Sequence, residues 1–166
     1  MDPKLLVSLF DRHAAALELY AAQWADAPAD IVQEAFIQLV QQDPLPKQTA
    51  GWLYRTVRNG AISAARSSNR RRKRDTTFAQ SARQWFESTA ESEFDAETAT
   101  QALQELPEEQ REVIVAKIWG RLSFEQIAEI ATISSSTAHR RYEAGLNTLR
   151  ERLGITWPTK SPSLKG

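Results

Sequence analysis

The sequence predicts an all-α protein made of two small helical domains joined by an acidic linker. Apolar residues recur at spacings of three and four in several segments, which is the pattern of amphipathic helices. Prolines and glycines fall between these segments, where they begin or end helices. A polar, acidic stretch divides the segments into two groups. Because domains of about 50 residues or more fold alone, the 166 residues can hold two.

Residues 1–75 are predicted to form a first domain of three helices. The first helix runs from Lys4 to Ala25 and carries an apolar stripe of Leu5, Leu6, Leu9, Phe10, Leu17, Tyr20 and Trp24. Pro28 then starts a second helix in its first turn. Two prolines, Pro44 and Pro46, exclude a helix and form a loop, after which Thr49 can cap the third helix.

Residues 76–98 are predicted to be a flexible acidic linker, because they are polar and only weakly periodic. The linker nevertheless contains four aromatic residues: Phe78, Trp85, Phe86 and Phe94. We expect the linker to gain order where these aromatics find a surface.

Residues 99–154 are predicted to form a second domain that ends in a helix-turn-helix. Leu106-Pro107-Glu108-Glu109 starts a helix with acids in its first turn, and Gly120 ends it. Ser123 to Gln126 has the spacing of a capping box that opens a short helix. Ser134 or Ser135 caps a long final helix that stops at Gly154, and a disordered tail is expected at 155–166.

The formal net charge of zero conceals two oppositely charged blocks. Arg55 to Arg74 holds eight basic residues and no acid, whereas Asp75 to Glu112 holds ten acids and two arginines. The first block can neutralise nucleic-acid phosphates, although a solvated charge run is the simpler alternative. The chain has no cysteine, no membrane-length apolar segment and no signal peptide at Met1, so we place it in the cytoplasm.

Polar side chains on the final helix have the chemistry of DNA recognition. Arginine can donate two hydrogen bonds to a guanine edge, and histidine or asparagine can bond base edges. These residues share one side of the helix: Ser136, His139, Arg140, Glu143 and Asn147. The alternative is the solvated face of a helical hairpin. In the first domain, Ile37 is an apolar residue on a polar helix face, which favours a protein contact there.

Five motifs, in order, resemble those of the extracytoplasmic-function sigma factors of bacterial RNA polymerase. They are Asp30 to Phe36 (DIVQEAF), Gly51 to Asn59 (GWLYRTVRN), Leu106 to Val113 (LPEEQREV), Ser123 to Glu129 (SFEQIAE) and Thr137 to Tyr142 (TAHRRY). Members of this family keep only the promoter-melting domain and the helix-turn-helix domain of larger sigma factors. The resemblance covers roughly Leu5 to Leu153 apart from the linker.

The resemblance implies a function as a sigma factor with three contact sets and no cofactor or metal. The −35 element would be read by Ser135, Ser136, Thr137, His139, Arg140 and Arg141. The Asp43 to Gln48 loop and the third helix would engage the melted −10 element, with Arg55, Arg58, Asn59, Arg66, Arg70, Arg71, Arg72, Lys73 and Arg74. The largest-subunit clamp helices of core polymerase would be contacted by Asp30, Gln33, Glu34 and Ile37.

The resemblance also implies partners beyond the clamp helices and promoter DNA. The polymerase flap is a further contact, and the acidic linker would thread the channel used by emerging RNA. Family members are often held inactive by an anti-sigma protein, although no residue here identifies one. Two positions depart from the family pattern. Thr132 falls where glycine is common, which predicts a differently shaped turn, and Ser63 stands where an acid is common.

Three alternatives compete with this interpretation. A stand-alone helix-turn-helix regulator would need a dimerisation or effector domain, which the first domain does not resemble. An enzyme is disfavoured because His13 and His139 lie in separate modules and no phosphate-binding glycine loop is present. A protein-interaction bundle would keep partner binding without DNA binding.

Overall fold

The computed structural model describes residues 1–67, 76–83 and 96–154. Within them the structure is all-α, as predicted. Helix α1 spans Pro3–Ala21, α2 Pro28–Val40 and α3 Thr49–Ser67; α4 covers residues 76–83; α5 spans Ala96–Gln104, α6 Glu108–Ile118, α7 Phe124–Ala131 and α8 Ser135–Leu153. None of the helices in these ranges is long and apolar enough to cross a membrane.

The N-terminal helices α1 to α3 form a bundle whose interior contains Leu17, Tyr20 and Trp24 of the predicted α1 stripe, whereas Leu5 and Phe10 of that stripe are exposed. Leu17, Leu39 and Val57, one from each helix, are fully buried in it. Asp2 caps α1 by accepting a hydrogen bond from the amide of Lys4, and Pro28 occupies the first turn of α2. The bundle therefore fixes which side of α2 and α3 remains available to partners.

The C-terminal helices α5 to α8 enclose a second apolar interior, and the predicted caps that set their ends are confirmed. Ser123 and Gln126 form the capping box of α7. Ser134, one of the two candidates, caps α8 by accepting a hydrogen bond from the amide of Thr137, and Gly154 ends α8 in the left-handed conformation. Because these signals are local in sequence, they place the helix-turn-helix at the predicted residues.

The turn of the helix-turn-helix is not reshaped by Thr132, contrary to the prediction. Thr132 adopts the left-handed conformation that glycine would take, with φ 57° and ψ 50°. Its amide and that of Ile133 both donate to the carbonyl of Ala128, which satisfies the end of α7. These hydrogen bonds and the cap on α8 hold a β-branched residue in a conformation it disfavours.

Replacing Thr132 with glycine should raise the free energy of unfolding by about 0.5 kcal/mol. Relief of left-handed strain contributes roughly 1–2 kcal/mol, and the greater freedom of glycine in the unfolded chain offsets part of it. Thr148→Gly, in the interior of α8, is the control and should lose roughly 0.3–0.5 kcal/mol, because threonine is itself a poor helix former. Urea denaturation of both variants measures the difference, and equal losses at the two positions would show that Thr132 is unstrained.

The start of the predicted linker is a docked helix and not a flexible segment. In α4, Phe78 and Ala82 are buried, and the guanidinium of Arg111 lies 4.9 Å from the centre of the Phe78 ring. Thr77 donates a hydrogen bond to the carbonyl of Asp26, which ties α4 to the N-terminal helices. Phe78 is thus one linker aromatic that is ordered by packing against other helices, as expected. Trp85, Phe86, Phe94 and the predicted tail lie outside the described residues.

The N-terminal and C-terminal helices pack directly against each other. Helix α1 contacts α6, and α3 contacts α7. At this interface Gly120 approaches Tyr54 so closely that a Cβ atom at residue 120 would lie 2.8 Å from the phenol oxygen. The apolar interiors of the two groups consequently join into one continuous core.

Candidate nucleic-acid interface

The residues predicted to read the −35 element lie at the start of α8, and most of them are exposed to solvent. Ser135, Ser136, His139 and Arg140 are exposed, and Thr137 is half-buried. An Arg140 Nη2 donates a hydrogen bond to Thr137 Oγ1 at 3.1 Å, which orients the guanidinium along the helix surface. The first turn of α8 therefore presents hydroxyl, imidazole and guanidinium groups on one accessible face.

Arg141 differs from the other predicted −35 residues because it pairs with an acid of α6. Its guanidinium lies 3.6 Å from the Glu109 carboxylate, and its side chain is 27% exposed. The pair places Arg141 on the flank of α8, next to the C-terminal core. For Arg141 to contact DNA as predicted, its ion pair with Glu109 would have to break.

Tight packing behind α8 fixes the orientation of its exposed face. Ala138 is fully buried, and a Cβ atom at residue 145 would lie 3.0 Å from Ile114 Cγ1, so a larger residue than glycine would require Ile114 or α8 to shift. The Phe124 ring packs edge-on against His139 and Tyr142, with centroids 5.0 and 5.4 Å away. One side of the His139 ring is therefore packed against an aromatic ring, and the other remains exposed.

The predicted −10 residues of α3 do not all share one environment. Arg55, Asn59 and Arg66 are exposed, whereas Arg58 turns toward the C-terminal helices. Arg70, Arg71, Arg72, Lys73 and Arg74 lie outside the described residues. Tyr54, which lies between these basic positions in the sequence, is fully buried against Tyr20 and Gly120. In this conformation α3 offers Arg55, Asn59 and Arg66 to a partner.

Arg58 is held by Glu112 of α6, a residue that the sequence analysis did not single out. Arg58 Nε donates to Glu112 Oε1 at 2.5 Å, and an Nη2 lies 3.4 Å from Oε2. Tyr20 donates its phenol hydrogen to the same carboxylate at 2.7 Å. Burial works to lower the pKa of Arg58, but the hydrogen bond and charge of Glu112 outweigh it and raise that pKa. Burial and then the charge of Glu112 raise the pKa of Tyr20.

We call Glu112, Arg58 and Tyr20 the Glu112 cluster. Glu112 is 6% exposed, and its carboxylate bridges the N-terminal and C-terminal helices. The sequence does indicate that Glu112 is buried. It directly precedes the apolar run Val113 to Ala116, and it lies one helical turn before Ala116, on the same face of the helix. Only the arrangement of the two groups of helices, however, reveals which basic residue it meets.

A second exposed surface lies on α1 and α2, where the polymerase contact was predicted. Asp30, Gln33 and Glu34 are exposed, and Ile37 is 47% exposed, as expected for an apolar residue on a polar face. An apolar groove of about 440 Å³ runs beside them and is lined by Leu6, Val7, Phe10, Asp11, Gln33, Phe36, Ile37 and Val40. Helix α1 thus contributes to this surface Leu6 and Phe10, which belong to its predicted apolar stripe, and Val7, which does not.

These features define an all-α protein with a helix-turn-helix and, on the separate helix α3, exposed basic side chains. Residues 96–149 match the model of the family described as sigma-70, region 4. This match covers the helix-turn-helix together with the two helices that precede it. The C-terminal helices α5 to α8 are therefore similar to sigma-70, region 4.

The chain as a whole has the fold of a sigma factor. The sigma factor RpoE from Bartonella quintana, in its co-crystal structure with the anti-sigma factor NepR, is 24% identical and superposes with a TM-score of 0.65. The similarity covers 93% of this chain and 96% of that one. A search of the curated proteins finds no match. The family match over residues 96–149 and the fold shared with RpoE agree with the prediction of a promoter-recognising sigma factor of the extracytoplasmic-function type. Sigma factors as a class are not enzymes.

Proposed function

We propose that this protein binds core RNA polymerase, directs it to promoters through −35 and −10 contacts, and helps to melt the −10 region without catalysis of its own. The observation that carries the proposal is the exposed polar start of α8 within the region 4 match. A stand-alone regulator is less well supported, since the sigma-factor fold extends over the N-terminal helices as well.

Recognition of the −35 element is assigned to the start of α8. Arg140 carries the only side chain in this exposed turn that can donate two parallel hydrogen bonds to one guanine, and His139 lies beside it. Ser135, Ser136 and Thr137 have hydroxyl groups suited to phosphate oxygens, and Arg141 can join them once it leaves Glu109. Phosphate contacts would set the register of α8, and Arg140 would supply most of the sequence preference.

Engagement of the −10 element is assigned to α3 and the loop before it. Arg55, Asn59 and Arg66 are exposed along one side of α3, and Trp52 lines a cleft beside the loop residues Pro46 to Gln48. Cations that track a backbone and an aromatic ring that can stack on a base are the parts that single-stranded DNA needs. Unpairing a base costs a few kcal/mol, and such contacts can offset it.

Core polymerase is assigned to the surface formed by α1 and α2. An exposed isoleucine flanked by Asp30, Gln33 and Glu34 gives an apolar centre with a polar rim, which is the composition of a specific protein interface. Residues 1–75 and 99–154 would act as the two domains, the first for polymerase and −10 contacts and the second for −35 contacts. The flap is a further polymerase contact in this proposal.

An anti-sigma protein is included among the proposed partners. Its support is the fold shared with RpoE, which was crystallised with the anti-sigma factor NepR. The cytoplasm, where RNA polymerase and promoters are found, is the proposed place of action.

Transcription from a genomic promoter library tests the proposal. Bacterial core RNA polymerase is assayed with and without the protein, and new transcripts are mapped at their 5′ ends. We expect start sites that share one −35 and one −10 signature and that appear only when the protein is present. DNA binding without core association or new start sites would reject the proposal in favour of a stand-alone regulator.

A further inference from the structure

Glu143 is an acidic residue on the face of α8 that is proposed to meet DNA. At about 100° per residue it lies between His139 and Arg140, one turn further along the helix. Its side chain is 62% exposed. From Ser135 to Arg150 it is the only acid in the sequence of α8. An acid in this place repels the phosphates of DNA, which lowers the affinity for every sequence.

Helix stability does not account for the acid. Within the helix Glu143 faces His139, whose Nε2 lies 3.7 Å from a carboxylate oxygen of Glu143. The histidine precedes the glutamate, and in this order an i,i+4 pair opposes the helix macrodipole and is the weaker of the two arrangements. Both side chains are more than half exposed, so the pair contributes little to folding.

The surroundings of Glu143 support its carboxylate at the edge of a cleft. The cleft has a volume of about 300 Å³ and is lined by residues of α6, α7 and α8. Phe124 packs edge-on against the His139 ring, with centroids 5.0 Å apart, and this ring in turn faces the carboxylate. Lys117, whose ammonium lies 4.5 Å from the centre of the Phe124 ring, and Arg150 line the same cleft. The imidazole beside Glu143 is thus itself supported by a packed aromatic ring.

The chemistry of base edges limits what a carboxylate can recognise. In the major groove, cytosine presents its N4 amine as a donor, whereas guanine and thymine present the acceptors O6 and O4. An ionised carboxylate only accepts hydrogen bonds, so it pairs with the amine and is repelled by the two oxygens. Adenine presents the N7 acceptor beside its N6 amine, which suits a side-chain amide better than a carboxylate. Cytosine is therefore the base that a carboxylate fits best.

We propose that Glu143 is a specificity-determining residue of −35 recognition: its carboxylate accepts a hydrogen bond from the N4 amine of a cytosine and selects against the other bases at that position. The inference deepens the proposed function and rests on it, because it requires α8 to lie in the major groove. Arg140 and Glu143 are about 4.5 Å apart along the helix axis, and base pairs are spaced by about 3.4 Å. The cytosine should therefore lie one or two base pairs from the guanine that Arg140 meets.

Selection of bound sequences from a library tests this choice of base. The complex of the full chain with core polymerase is mixed with promoter fragments that are randomised over the −35 element, and the bound fragments are sequenced. For the parent protein we expect one position that prefers a G·C pair in one orientation by at least about fivefold over each other pair. Glu143→Gln should move the preference at this position to an A·T pair, since a side-chain amide pairs with adenine N6 and N7.

Glu143→Ala and Glu151→Gln separate base recognition from charge. Glu143→Ala should lose the preference at this one position and bind all sequences more tightly, because the repulsion of phosphates is gone. Glu151 is an exposed acid of the same helix, about 12 Å beyond Glu143 along the axis. Glu151→Gln removes the same charge, so it is the matched control. We expect it to keep the preferences of the parent at every position and to change affinity less than about twofold.

Two results would overturn the proposal. One is that both Glu143 variants keep the parent's preferences at every −35 position and differ from it only by a uniform gain in affinity, as a solvated charge would. The other is that the position they change carries an A·T pair in the parent. Failure of the proposed function has a different appearance: the parent complex itself enriches no −35 sequence, and this inference then falls with it.

Discussion

Replacing Ile37 with aspartate should weaken binding to core RNA polymerase about hundredfold and abolish transcription at limiting polymerase. Ile37 is 47% exposed beside the apolar groove of α1 and α2. Burying an isoleucine side chain contributes about 2 kcal/mol, and a carboxylate at the same place must also be desolvated. The fold should be unaffected, because the exposed half of the side chain is what a partner would cover. Binding of labelled protein to core polymerase measures the effect.

Leu5→Asp is the matched control for Ile37→Asp. Leu5 is 43% exposed on α1, in the same bundle, but it does not line the groove. We expect Leu5→Asp to bind core polymerase within about threefold of the parent, as is usual for exposed positions outside an interface core. Equal losses in both variants would mean that apolar exposure in general, and not the groove beside Ile37, governs binding.

Sequence patterns predicted the local structure because the determinants of helix ends are short-range. The capping box of Ser123 and Gln126, the cap at Ser134 and the stop at Gly154 each depend on atoms within four residues. The turn at Thr132 was predicted wrongly for an instructive reason. Propensity disfavours a left-handed threonine, but two backbone hydrogen bonds to Ala128 and the caps on either side outweigh a strain of about 1–2 kcal/mol.

The long-range contacts were beyond the sequence patterns. Tyr20 and Glu112 are 92 residues apart, and neither periodicity nor charge indicates that they meet. Arg58 and Glu112 belong to the oppositely charged blocks that the sequence displays, yet the blocks alone do not tell which pair becomes buried. Phe78 likewise lies in a polar stretch of the sequence, and its burial depends on contacts with distant residues such as Arg111. Such contacts depend on how preformed helices pack.

Replacing Arg140 with alanine should remove most of the preference for the correct −35 sequence. Arg140 is exposed on the first turns of α8, and its guanidinium is oriented by the hydroxyl of Thr137. Loss of a bidentate arginine contact to guanine costs about 1–3 kcal/mol of discrimination, or roughly a tenfold to hundredfold change in preference. Binding of the polymerase complex to promoter DNA with the natural and a scrambled −35 element gives this ratio directly.

Arg140→Lys separates base recognition from charge. Lysine keeps the positive charge but lacks the planar pair of donors, so it should retain phosphate attraction and lose most of the preference. Arg140→Ala should in addition reduce the dependence of affinity on salt by about one counterion. If both variants keep the full preference for the natural −35 sequence, Arg140 contacts only the backbone and another residue of α8 reads the bases. His139, packed against Phe124 on the same exposed face, is then the residue to replace next.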